Sequence, residues 1–94
     1  MFRLLALHVR AGRGLLDWSR RDLAREASKI SAVSEETIKA WERSAGPING
    51  TADRIDAVVR TFEAHGVELL NDDAPGVRLR LPKDAKSEGE GRTS

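Results

Sequence analysis

Two stretches decide how this chain is read: Ser19-Arg20-Arg21-Asp22-Leu23-Ala24 and Ser34-Glu35-Glu36-Thr37-Ile38-Lys39-Ala40-Trp41-Glu42. Each opens like a helix. Ser19 can cap, and Asp22, three residues on, stands where a capping-box carboxylate lies. Leu23, Ala24 and Ala27 form the apolar face behind it. Ser34 is followed by Glu35 and Glu36 in the first turn, where the helix dipole favours negative charge. Ile38 and Trp41, three apart, share one side.

Upstream, Leu5, Val9, Leu15 and Leu16 make a rough helical stripe over residues 3–16. Gly12 and Gly14 weaken it by about 0.5–1 kcal/mol each. Asp17 suits a helix exit in the left-handed conformation. Downstream, Thr51 caps a fourth helix in which Ile55, Val58, Val59 and Phe62 follow 0, 3, 4, 7 spacing. Gly66 stops it. Val67–Leu70 and Val77–Leu81 read as strands joined by the turn cluster 71–76, hence a hairpin. Residues 82–94 are polar and read as a disordered tail. The expected division is a helical domain over 1–66, a hairpin over 67–81 and the tail over 82–94.

Ninety-four residues make one small domain. The apolar share is 39% and the charged share 33%, a globular balance. No run of 18 apolar residues is present to span a membrane, and the N-terminus lacks a secretory cleavage pattern. The absence of cysteine excludes disulfides, cysteine-ligated metal and thiol catalysis. A cytoplasmic chain is expected. The net charge of +1 hides an asymmetry. Residues 1–43 hold nine basic and six acidic side chains (+3), whereas 44–94 hold seven and nine (−2). A mildly basic first half fits an anionic partner.

Two short helices joined by a tight connection, the second with a polar start, form a helix-turn-helix pattern. Such a second helix fits the major groove, and the first braces it. The run Arg13 to Ala24, then Ser34 to Glu42, resembles the Cro/lambda-repressor-like helix-turn-helix family, also called XRE. The family pattern is approximately R-x-x-x-G-x-S-Q-x-x-L-A, a connector, then S-x-x-T-I-x-x-x-E. The resemblance covers about residues 5–65 and extends to small bacterial regulators with a C-terminal hairpin. Asp17 replaces the usual glycine, and Arg20 the usual glutamine. Ala24 and Ile38 are 14 residues apart, about one helical turn more than the family's spacing. Either the second helix runs a turn longer, the favoured reading, or residues 28–33 form a small loop.

The resemblance implies a mainly α fold of four to five helices with a C-terminal β-hairpin. It implies an internal ion pair between Arg13 and Glu42. It also implies phosphate contacts from Ser19, Arg20 and Arg21, with Arg20 foremost. Ser34, Glu35, Glu36 and Lys39 match positions that approach bases or phosphates, and Arg43 would point at the backbone. Thr37 faces DNA or packs inward. Either glutamate accepts from a cytosine amino group or merely favours the helix start. Asn49 lies in a connection that such proteins bring to a phosphate, with capping by Thr51 the plainer reading. Trp18 and Trp41 are expected in the core. His8 and His65 lie too far apart for a local metal site, and no catalytic constellation or cofactor motif is visible.

The expectation is therefore a sequence-specific double-stranded DNA-binding regulator without cofactor or enzymatic activity, associated with the nucleoid when bound. A homodimer is expected through the hairpin, burying Val67, Leu69, Val77 and Leu79 between two copies. Arg78 and Arg80 add phosphate contacts or sit on a solvated sheet face. The alternative is a protein-interaction module, such as an antitoxin or co-regulator gripping a protein partner.

Overall fold

The computed structural model describes residues 4–44, 48–71 and 75–80. Four helices and a two-stranded antiparallel hairpin follow in chain order: α1 Ala6–Leu16, α2 Arg20–Ala27, α3 Glu35–Glu42, α4 Ala52–Ala64, β1 Val67–Leu70 and β2 Gly76–Leu79. The described structure is mostly helical. The expected tail at 82–94, Leu81 of the second strand and Asp72 and Asp73 of the turn lie outside the described residues.

Local chemistry sets the helix ends. Ser19 Oγ accepts from the Asp22 N–H, while an Asp22 carboxylate oxygen accepts from the Ser19 N–H, each at 3.0 Å. The Ser34 and Thr51 hydroxyls cap α3 and α4 through the N–H groups of Thr37 and Arg54. Asp17 ends α1 at φ 58°, ψ 41°. Gly66 (φ 87°) turns the chain from α4 into β1. A side chain there would also strike the Arg80 carbonyl oxygen, 2.2 Å from an added Cβ.

α1 begins differently. The Leu5 N–H donates to His8 Nδ1 at 3.0 Å. A backbone N–H can only donate, so Nδ1 is the bare nitrogen and Nε2 carries the proton. Nε2 then donates to the Leu70 carbonyl at 2.7 Å. This fully buried imidazole joins the start of α1 to the end of β1.

The core gathers Val9 from α1, Leu23, Ala24 and Ala27 from α2, Ile38 and Trp41 from α3, and Ala57, Val58 and Phe62 from α4. Leu4, Val33, Ile48 and Val67 complete it. Gly12 explains itself here. An added Cβ would lie 2.7 Å from the Phe62 ring, so the ring seats where a side chain would stand.

Two expectations change. The second helix does not run a turn longer. It ends at Ala27, and residues 28–30 continue only as a turn. The Ser28 hydroxyl donates to the Val33 carbonyl and accepts from the Val33 N–H, at 3.0 and 3.1 Å. That local side-chain pairing closes a loop in place of further helix and buries Val33. The hairpin pairs Val67 with Leu79 and Leu69 with Val77. Val67 does not await a second copy, since it is 1% exposed within its own chain. Leu69 and Val77 also pack against the same core.

The two glycines of α1 make opposite predictions. Gly12→Val overpacks the Phe62 contact and lowers unfolding free energy by about 1–3 kcal/mol in urea titrations followed by circular dichroism. Gly14, with open space around its Cβ position, gains about 0.5–1 kcal/mol as Gly14→Ala.

Candidate nucleic-acid interface

Helical geometry fixes which way α3 faces. Ile38, Trp41 and Glu42 are its buried residues. At about 100° per residue, Glu36, Ala40 and Arg43 fall within roughly 35° of the line opposite that buried set. Lys39 flanks them, and all four side chains are exposed. Glu35 is also exposed but lies to the side, toward α2, where Arg21 Nε stands 3.9 Å from its carboxylate.

The orientation is held at the C-terminal end of α3. The Glu42 side chain is only 2% exposed. Arg13 of α1 grips it with two bonds, Nε to Oε2 at 2.6 Å and Nη2 to Oε1 at 2.9 Å. Arg20 of α2 adds a third, Nε to Oε1 at 3.0 Å. Arg13 also donates to the Trp18 carbonyl, fixing the α1–α2 corner. Arg10 donates to the Glu42 main-chain carbonyl. Three arginines thus meet one residue, on its carboxylate and on an α3 carbonyl that lacks a helical partner.

The Arg13–Glu42 pair therefore forms as the sequence implies. Arg20, expected to contact phosphate, is also drawn into this cluster. Its Nε is committed to Glu42, although 41% of its side chain remains exposed. Ser19 and Ser34 are helix caps. The Ser34 hydroxyl is used twice, accepting from the Thr37 N–H and donating to Thr37 Oγ1. Thr37 is half-buried, and Trp41 lies in the core. Trp18 packs against the core edge-on to the His65 ring, with centroids 4.7 Å apart. Asn49 is exposed in the segment before α4, and Thr51, two residues on, is a cap.

Arg21 keeps 81% of its side chain in solvent. The other cations of this side are more engaged. Arg25 stands 3.2 Å from Asp22, and Lys29 donates to Glu26 at 2.9 Å. Hydrogen bonds from the Ser19 N–H and hydroxyl, with Arg25 nearby, hold Asp22 below the usual carboxylate range. Lys29 first, then Arg25, does the same for Glu26. Lys39, Arg43 and Arg54 are exposed and make no ion pair among the described residues. Sequence reasoning missed Arg10, although its i, i+3 spacing from Arg13 places both on one α1 face.

On the hairpin, Glu68 accepts from both Arg78 and Arg80. Arg78 first, then Arg80, lowers the Glu68 pKa. An open cleft of about 410 Å³ lies between Glu63 of α4 and Gly66, Val67, Glu68, Leu69 and Arg80. Among the described residues, no three His, Asp or Glu side chains gather as metal ligands, and no helix is long and apolar enough to cross a membrane. No protein-family model matches the chain, and no curated protein matches it.

Breaking the arginine cluster has graded consequences. Glu42→Ala leaves Arg13 without its carboxylate in a half-buried position and costs about 3–5 kcal/mol. Arg20→Ala, at the more exposed partner, costs about 1 kcal/mol or less. Urea titrations of both variants measure the difference. The Asp22 cap has a pH signature. Its folded pKa lies below the ordinary 3.8, so its stabilisation is complete above that value and is lost as pH falls through the folded one. The melting-temperature gap between the native chain and Asp22→Asn narrows from pH 6 toward pH 2.5.

Proposed function

We propose that this chain is a sequence-specific double-stranded DNA-binding transcriptional regulator of the XRE helix-turn-helix type, reading the major groove with α3. The observation that carries this reading is the exposed row Glu36, Lys39, Ala40 and Arg43, held away from the core by the Glu42 cluster. A short helix with polar side chains on its free face and a bracing helix behind it is shaped for that groove. Arg21, Arg43 and the solvent-facing part of Arg20 supply cations for phosphates, which position the protein without reading sequence. Asn49 offers a further neutral donor from the segment before α4. Surface ion pairs such as Arg25–Asp22 are worth at most about 1 kcal/mol, so a phosphate can compete for the arginine.

The reading needs no catalytic group, metal or cofactor. The protein acts in the cytoplasm, on the nucleoid when bound. Two copies are expected to read half-sites about 34–36 Å apart. The two-stranded sheet pairs with no further strand among the described residues, and Leu79 is 38% exposed. These features favour assembly through the hairpin edge. A second reading, a protein-binding module such as an antitoxin or co-regulator, is favoured by Ile30. It is 47% exposed on the α2–α3 loop, beside cations already paired with acids.

Titration of the full chain with duplex DNA at 50 and 200 mM salt separates the two. The DNA reading predicts affinity falling on the order of tenfold or more across that range. Lys39→Ala is expected to lose preference for a selected site while keeping nonspecific binding. Absence of duplex binding at 50 mM salt would contradict the proposal and favour the protein-binding reading.

A further inference from the structure

The two glutamates of α3 are not equivalent. Glu35 lies to the side of the helix, with Arg21 beside it. Glu36 lies closest of all α3 residues to the line opposite the buried set and is exposed. Its carboxylate makes no hydrogen bond or ion pair among the described residues, although Lys39 stands one turn along. An acid at the leading end of a groove-reading helix opposes binding to a polyanion. It does so at every sequence, unless one base offers it a proton.

The major groove presents only two such donors, the N4 amino group of cytosine and the N6 amino group of adenine. Adenine places the N7 lone pair next to its amino group, where a carboxylate meets repulsion. Cytosine places only a C–H there. An ionised carboxylate, which accepts and cannot donate, is therefore matched to cytosine. Lys39 carries donors alone, the complement of guanine O6 and N7. The methyl group of Ala40, exposed between Glu36 and Arg43, suits a thymine methyl.

We propose that Glu36 is a specificity-determining residue. It accepts a hydrogen bond from cytosine N4 in the major groove, so that the preferred half-site carries a C·G pair opposite the leading end of α3. This rests on the DNA-binding reading above. On it, Glu36 lowers affinity for DNA in general and restores it only where cytosine is present, so the residue discriminates chiefly by penalising wrong sites.

The test is selection of bound sequences from randomised duplexes by the full-length chain, alongside Glu36→Ala and Glu36→Gln. Glu36 is exposed, and circular dichroism melting checks that both variants keep the fold. The native chain is expected to select cytosine at one position of each half-site. Replacing that cytosine should weaken binding by about 5- to 150-fold, as for other good side-chain–base pairs. Glu36→Ala should lose selection at that position alone and bind nonspecific duplex more tightly than the native chain. Glu36→Gln, with an amide that both donates and accepts, should move the preference toward adenine. If the chain selects a site but Glu36→Ala selects the same bases at every position, the proposal is overturned while the DNA-binding reading stands. If no duplex is bound at low salt, both fall.

Discussion

The constraint on which the rest depends is the carboxylate of Glu42. It is withdrawn from water at the last turn of α3, which leaves it dependent on cations from elsewhere in the chain. α1 supplies Arg13 and α2 supplies Arg20, so one side chain fixes three helices. Arg10 secures the backbone of the same residue. A buried ion pair of this kind contributes more to orientation than to net stability. Its consequence is rotational. With Ile38, Trp41 and Glu42 turned inward, Glu36, Ala40 and Arg43 must turn outward. The exposed face of α3 is the remainder left by the core.

Charge on that face is arranged economically. Asp22 and Glu26 hold Arg25 and Lys29 along the flank of α2, whereas Lys39 and Arg43 make no ion pair among the described residues. On the hairpin, Glu68 lies between two arginines. Its apolar side belongs to the monomer core through Val67. A contact between copies would therefore use the strand edge and Leu79, not the buried side of the sheet.

Much of this was legible from residues. Serine and threonine caps, the left-handed exit at Asp17 and the stop at Gly66 are local signals, and each appears where the sequence places it. The Arg13–Glu42 pair was legible only through a family pattern, because residues 29 apart carry no periodic signal. The α2–α3 connector was misread. Helical spacing allows a longer helix, and nothing in periodicity reveals that the Ser28 hydroxyl closes a loop on Val33. Gly12 looked like a defect of α1 until the Phe62 ring was found against it. The Arg20–Glu42 contact was not legible, because a charge count cannot say which of several acids lies near. The role of His8 was hidden, since its bonds to the Leu5 N–H and the Leu70 carbonyl are to backbone groups that a sequence does not display.

The central claim is that the outward row of α3 is the surface that meets duplex DNA. Amide and side-chain NMR shifts of the full chain, recorded while duplex DNA selected for binding is added, test it most directly. The account predicts the largest perturbations at Glu36, Lys39, Ala40 and Arg43 and at the start of α2, with Phe62 and Val58 of the core little moved. Perturbations confined to the hairpin or to the loop around Ile30, with α3 silent, would contradict it.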